Sequence, residues 1–257
     1  MKELILKRAV RLVSELSLPK SELTKIEKNL KDTYRFPEAD LFTPAGFIDH
    51  TSLSFNTTEK EIENLCHEAH EYNFKAVCVN PVWVKKAFEE RKRSGGKFLV
   101  ATVVDFPLGA STETARVAEA KQALMDGADE IDLVISIGMV KSGNFKKSYD
   151  LIKCVNDLGV YLKVILETSA LELKEKIDAA LVSFFAGASM FKTSTGVNGQ
   201  AYIEDVKLLR AIAGRSVGVK AAGGIKKKED LVAMIAAGAD RVGCSRSVSI
   251  IETWAEQ

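Results

Sequence analysis

The sequence predicts an α/β protein built as a (β/α)8 barrel, the TIM-barrel architecture, with an N-terminal helical extension. Three observations carry that expectation. From residue 46 onward eight short apolar runs alternate with amphipathic stretches, the 257 residues match the usual size of one eight-fold barrel, and no GxGxxG follows the first run. The missing glycine motif sets aside a doubly wound nucleotide-binding sheet.

The runs are GFIDHT (46–51), AVCVN (76–80), FLVATVVDF (98–106), EIDLVIS (130–136), YLKVILET (161–168), MFKTST (190–195), VGVKAAGG (217–224) and RVGCS (241–245). Apolar, β-branched runs of this length between helices describe a parallel sheet covered on its outer side. The stretches between them, 59–72, 82–93, 113–125, 145–158, 172–186, 201–213 and 228–237, carry helical periodicity, and a last helix is expected after Ser247. A glycine closes the helix before three of the runs, in GADE at 127, AGAS at 186 and AGAD at 237.

Residues 1–40 form an extension of their own, ahead of a barrel domain at 41–257. Leu4, Ile5, Ala9, Val10, Leu12, Val13 and Leu16 fall at helical spacing, Pro19 breaks the pattern, and Ser21 and Thr24 offer caps for a second helix. The segment carries no chemistry and is expected to pack on the barrel or on a neighbouring subunit. Glu3 and Glu15 interrupt it, so it reads as neither a secretory signal nor a transit peptide.

Composition excludes some partners. With 36 basic and 35 acidic residues the formal charge is +1, which offers no broad attraction for nucleic acid or a membrane surface. No run of eighteen apolar residues is present to span a bilayer. Four cysteines without paired spacing suit a reducing cytoplasm.

In a parallel barrel the chemistry sits at the carboxyl ends of the strands. The polar residues late in each run are Asp49, Thr51, Asn80, Asp105, Asp132, Lys163, Glu167, Lys192 with Thr193 to Thr195, Lys220 and Ser245. Lys192 and Lys220 are placed alike in successive runs. Two ammonium groups about 4 Å apart repel by roughly 4 kcal/mol at an effective dielectric of about 20. That repulsion favours a neutral amine at one of them, and a neutral amine attacks carbonyls. The other reading is a structural ion network in which both lysines pair with Asp132, Asp105 and Glu167. The residues alone leave both open. Asp132, among Ile131, Leu133 and Val134, suits either proton transfer or the part of counter-ion.

Gly223, Gly224, Gly243 and Ser245 offer backbone N–H groups where helices begin, the usual phosphate site of such barrels, with Arg246 and Ser247 close by. Metal chemistry has little to stand on. His67 and His70 with Cys66 share a helix face away from the strand ends, and His50 stands apart from them.

These motifs, in order and one per run, resemble those of the 2-deoxyribose-5-phosphate aldolase family: IDHT at 48–51, VCVNP at 77–81, FPLG at 106–109, GADEIDLV at 127–134, LKVILET at 162–168, FKTSTG at 191–196, VKAAGG at 219–224 and RVGCS at 241–245. The resemblance spans about residues 46–250. It implies a class I lyase that needs no metal or organic cofactor and cleaves 2-deoxy-D-ribose 5-phosphate to D-glyceraldehyde 3-phosphate and acetaldehyde. Lys192 would form the Schiff base, Asp132 and Lys220 would move protons, and the C3–C4 bond of the sugar is expected to break. Gly196, Gly223, Gly224, Gly243 and Ser245 would hold phosphate, with Thr195, Asp49 and Thr51 completing the substrate-binding set. A homo-oligomer, dimer or tetramer, in the cytoplasm is expected. Two rivals remain: another Schiff-base phosphosugar aldolase or transaldolase, and a non-catalytic phosphosugar-binding barrel. The chain departs from the family pattern at Ala222, where many members carry serine, at Cys244 and Arg246, where small residues are usual, and at its ETWAEQ ending, where some members carry a tyrosine tail.

Overall fold

The computed structural model describes residues 1–32 and 44–255, so the expected boundary between residues 40 and 41 lies outside the described residues. Two helices come first, α1 (Lys2–Glu15) and α2 (Ser21–Asn29). The barrel then runs β1 (Ile48–Ser52), α3 (Glu59–Glu71), β2 (Ala76–Val79), α4 (Val84–Ser94), β3 (Leu99–Val104), α5 (Glu113–Met125) and β4 (Glu130–Val134). It continues through α6 (Ile137–Lys141), α7 (Phe145–Asn156), β5 (Tyr161–Ile165), α8 (Leu173–Phe185) and β6 (Met190–Lys192). It ends with α9 (Ile203–Ala213), β7 (Gly218–Ala222), α10 (Lys228–Ala236), β8 (Arg241–Cys244) and α11 (Ser247–Ala255).

All eight strands are parallel, and β8 pairs back onto β1 through Ile48 and Val242, closing the barrel. Alternation along the strands sorts the side chains. Ile131 and Leu133, Leu162 and Val164, Phe191, Val219 and Val242 belong to the large apolar core between strands and helices. Their neighbours in register, Asp132, Lys163, Lys192 and Lys220, face the other way, into the barrel. Cys78, Ala101 and Val103 form a second, small apolar cluster there. The interior is therefore oily beside β2 and β3 and ionic elsewhere.

Local chemistry sets the helix ends. Thr58 accepts from the Glu61 N–H, and the Glu61 side chain accepts from the Thr58 N–H, a reciprocal cap that starts α3. Thr112 caps α5 and Asn144 caps α7 in the same way on one side. Gly127, Gly187 and Gly238 each take positive φ between a helix and the next strand, as the repeated phrase predicts.

The N-terminal helices pack on the barrel's own helices. α1 buries Ile5, Ala9, Leu12 and Val13 and lies along α8, where Arg8 pairs with Asp178. α2 lies on α9, and Asn29 Nδ2 donates to the Ile212 carbonyl at 2.9 Å. Ser21 is the first residue of α2 and does not cap it, since no side-chain cap bond is made there. Among the described residues no helix is long and apolar enough to cross a membrane.

Candidate active site

Six of the strands deliver charged side chains to one buried cluster. Lys192 Nζ and Lys220 Nζ each donate to Asp132 Oδ2 at 2.9 Å, and Lys163 Nζ donates to Asp132 Oδ1 at 2.7 Å. Lys220 Nζ also lies 2.5 Å from Asp49 Oδ2, and Lys163 Nζ lies 2.6 Å from Glu130 Oε2. Arg241 Nε donates to Asp49 Oδ1 at 2.7 Å, and its terminal nitrogens reach Glu130. Three carboxylates, Asp49, Glu130 and Asp132, thus face four cations, Lys163, Lys192, Lys220 and Arg241.

Burial alone would push the carboxyl groups up and the amines down. The partners reverse both. Burial opposes the Asp132 charge, but Lys163, Lys192 and Lys220 together hold the carboxyl well below its ordinary range. Asp49 is likewise held down against burial by Lys220, Arg241 and Lys163. Lys220 is raised above the ordinary lysine range, because Asp132 and Asp49 outweigh its desolvation. Lys163 is raised as well, with Asp132 its strongest support against burial.

A cavity of about 540 Å³ opens above this cluster at the carboxyl ends of the strands. Lys192 borders it, 2% exposed, while Asp132, Lys220, Lys163, Asp49, Glu130 and Arg241 lie beneath the lining. Thr51, Thr195, Gly196, Gly223, Gly224, Gly243 and Ser245 all line it, together with Leu53, Phe106, Val197 and Ile225. Cys244, Lys226 and Arg246 border the same space.

The loops around the cavity are tied to one another. Thr193 Oγ1 donates to the Ala222 carbonyl and accepts from the Ala222 N–H, each at 3.0 Å, which locks the ends of β6 and β7 together. Thr195 N–H donates to the Glu167 carboxylate at 3.2 Å, and the Thr195 hydroxyl accepts from the Val197 and Asn198 amides. Gly223 has φ of 100°, and a Cβ there would meet the Gly199 carbonyl oxygen at 2.8 Å. A Cβ on Gly243 would sit 3.0 Å from Lys220 Cε, so the missing side chain leaves room for the lysine stem.

The structure thus brings together Lys192, Lys220 and Asp132, and it gathers the glycines, Ser245, Thr195 and Thr51 around one cavity. It does not bring Asp49 to the substrate side. Asp49 is fully buried, pinned by Lys220 and Arg241 from a layer below. Nor do Asp105 and Glu167 serve the lysines. Asp105 pairs with buried Arg116 at 2.6 Å and accepts from the Ser111 hydroxyl at 2.8 Å, fixing the turn that carries Phe106. The sequence reading passed over Arg241 and Glu130. Period-two spacing holds the signal for both, since Arg241 stands two before Gly243 and Glu130 two before Asp132, on the inward face. Among the described residues no group of three or more His, Cys, Asp or Glu side chains is arranged to hold a metal ion.

A parallel barrel whose floor gathers amines around one carboxylate, with a single lysine reaching an open cavity, defines the class of barrel aldolases, lyases that act on carbonyls. Comparison with known proteins agrees. Residues 45–245 match the model of the DeoC/LacD family aldolases. A protein of Caldanaerobacter subterraneus subsp. tengcongensis named deoxyribose-phosphate aldolase is 48% identical over 226 residues, 86% of this chain and 97% of its own. A crystal structure from Coccidioides immitis superposes with TM-score 0.83 at 36% identity, over 93% of this chain and 99% of that one. The deoxyribose phosphate aldolase of Aeropyrum pernix, described as tetrameric, superposes with TM-score 0.75 at 30% identity, over 90% and 97%. The chain belongs to the DeoC/LacD family of aldolases.

Proposed function

We propose that this chain is a class I aldolase that reversibly cleaves 2-deoxy-D-ribose 5-phosphate to D-glyceraldehyde 3-phosphate and acetaldehyde, with Lys192 as the Schiff-base lysine. The observation that carries the reading is that Lys192 alone in the ionic cluster borders the cavity and shares Asp132 Oδ2 with Lys220. With every group ionised the cluster holds one cation in excess, in a site that burial makes costly for charge. A neutral amine at Lys192 balances it and leaves a nucleophile at the floor of the cavity.

The amine attacks C1 of the open-chain sugar, and loss of water leaves an iminium. Electrons can flow into that iminium only through C2, so the C2–C3 bond breaks, and not the C3–C4 bond expected from the sequence. A base takes the C3 hydroxyl proton, C3 becomes the carbonyl of glyceraldehyde 3-phosphate, and the bonding pair moves through C2 to give an enamine. Protonation at C2 and hydrolysis release acetaldehyde and return the amine. Asp132 and Lys220 stand within reach of Lys192 to relay protons through a bound water. The amides and glycines at 196, 223, 224 and 243 with Ser245 form the phosphate end, and Thr51 and Thr195 face the sugar.

We place the enzyme in the cytoplasm as a homo-oligomer, a reading that four unpaired cysteines and the tetrameric Aeropyrum pernix relative support. Borohydride reduction in the presence of acetaldehyde, followed by peptide mapping, tests the mechanism. Label is expected on Lys192, and Lys192→Leu is expected to lose both label and turnover. Turnover that survives Lys192→Leu would refute the assignment.

A further inference from the structure

A buried hydrogen-bond chain runs behind the turn between β8 and α11. His50 points out of the barrel from β1, opposite to Asp49 and Thr51 on either side of it. Its Nε2 lies 2.7 Å from Glu68 Oε2 on α3, and its Nδ1 lies 2.9 Å from Ser247 Oγ at the start of α11. Ser247 Oγ is 3.1 Å from the Cys244 carbonyl oxygen and 3.3 Å from the Cys244 thiol. Phe74 covers the ring at 5.0 Å between centroids, and Tyr72, stacked on Phe74, donates its phenol to Glu252 of α11. Glu68 is therefore the charged group facing the imidazole, with the Cys244 thiol beyond Ser247 and the Tyr72 phenol beyond Phe74. His50 and Ser247 are both buried and neither borders the cavity, whereas Cys244, Ser245 and Arg246 do.

A serine hydroxyl has one hydrogen to give. The Glu68 carboxylate only accepts, so it keeps a proton on Nε2 in both charge states of the ring. With the ring neutral, Nδ1 is an acceptor and takes the Ser247 hydrogen, and Ser247 gives nothing to the Cys244 carbonyl. With the ring protonated, Nδ1–H donates to Ser247, and the hydroxyl turns to the Cys244 carbonyl.

We propose that His50 is a positioning residue for the phosphate end of the site: on gaining a proton it turns the Ser247 hydroxyl onto the Cys244 carbonyl and fixes the 243–246 turn. The proposal rests on the reading of that turn as the phosphate cradle. Burial favours the neutral ring and, against the pull of Glu68, holds His50 below the ordinary histidine range. Tightening therefore comes on the acid side of about pH 6.5.

The test is the competitive inhibition constant of inorganic sulfate, a dianion throughout the histidine range of about pH 5 to 8. Sulfate is expected to bind the native enzyme about fivefold more tightly once His50 is protonated, the fold-change of one ordinary hydrogen bond. His50→Asn keeps a donor at the Nδ1 position and should hold the tight value at every pH. Ser247→Ala should hold the weak one. Glu68→Gln, a change at the surface end of the chain, should move the native midpoint to lower pH. A native pH dependence retained in His50→Asn or Ser247→Ala, or a midpoint unmoved in Glu68→Gln, overturns the relay while the phosphate reading stands. Sulfate that fails to compete with the sugar phosphate in the native enzyme removes both.

Discussion

Lys192 and Lys220, paired in register on β6 and β7, end 2.9 Å from the same oxygen, Asp132 Oδ2. Of the two readings the sequence leaves open, repulsion and an ion network, the contacts are those of a network through Asp132, without Asp105 and Glu167. A shared carboxylate lets two amines approach, and Asp49 on the far side commits Lys220 to staying charged. Of the two, only Lys192 borders the cavity.

A substitution at Lys220 separates the two lysines. Lys220→Met removes the proposed proton relay and one cation of the cluster. We expect kcat to fall by about 10² to 10⁴, the usual worth of a positioned acid or base, and borohydride labelling of Lys192 with acetaldehyde to weaken as well, because three cations then face three carboxylates and nothing favours a neutral amine. Full labelling with turnover lost would show that Lys220 moves protons without setting the charge of Lys192.

Asp132 answers three amines at once, so removing its charge strands the two that stay charged, Lys163 and Lys220. Asp132→Asn should lower unfolding free energy by about 3–5 kcal/mol, as breaking a buried pair from one side does, and should depress kcat as well. Urea denaturation reads the first effect and steady-state kinetics the second. A variant as stable as the native protein would mean that Lys163 and Lys220 do not depend on this carboxylate for their charge.

Much of this was legible in the sequence. Seven of the eight strands fall inside the expected runs, each of those runs outlasting its strand, while β1 continues one residue past its run, to Ser52. The run 98–106 ends as a strand at Val104, since Asp105 has φ of 54° and turns the chain. The run 190–195 ends as a strand at Lys192; backbone bonding goes one residue further, Thr193 N–H to the Lys220 carbonyl, and beyond it side-chain hydroxyls tie the loop to its neighbours. Polar tails on apolar runs are the loops that line the cavity, so the sequence marks the cavity wall more clearly than the strand ends. Helix α6 escaped notice because five residues give no period to read. The depth of Asp49 was not legible for a different reason. Its position late in a run showed that it faces inward but not how deep, and depth depends on the stagger of β1 against β8, which no single strand encodes.

The cluster also sets a pH window. Asp49 and Asp132 ionise below the usual carboxylate range, so their contribution to stability is full above an unfolded value of about 3.9 and is lost as pH falls through the folded one. Lys163 and Lys220 ionise above the usual lysine range, so theirs is full below about 10.4 and is lost as pH rises through the folded value. The urea midpoints of the native protein and Lys220→Met are expected to differ by a constant amount between about pH 4 and 10 and to converge above that. A gap that persists in strong alkali would show that Lys220 gains nothing by being charged in the fold.

Gly223 tests the proposed phosphate end of the cavity. Its backbone sits at φ of 100°, and a methyl would press on the Gly199 carbonyl and on Gln200 Cα at 2.8 and 3.0 Å. Gly223→Ala must therefore push the 196–200 loop away from β7. KM for the phosphorylated sugar should rise by about tenfold or more, the equivalent of about 1.4 kcal/mol of lost binding, while kcat/KM for unphosphorylated 2-deoxyribose changes little. Equal losses on both substrates would place the damage at Lys192 instead.

The N-terminal helices lie outside the catalytic argument, and that is itself testable. Leu12 is fully buried on α1, which lies along α8, and no residue of α1 borders the cavity. Leu12→Ala should lower unfolding free energy by about 2–5 kcal/mol, the range for emptying a leucine-sized site in a packed core, with KM and kcat close to native at 25 °C. Arg8→Met, which strands the buried Asp178 carboxylate on α8, should destabilise in the same direction. If α1 instead clasped only a second subunit, both variants would shift the oligomer distribution in sedimentation and leave the monomer's melting temperature untouched. Packing of Ile5, Ala9, Leu12 and Val13 in the same continuous core as the barrel's outer face argues for the former.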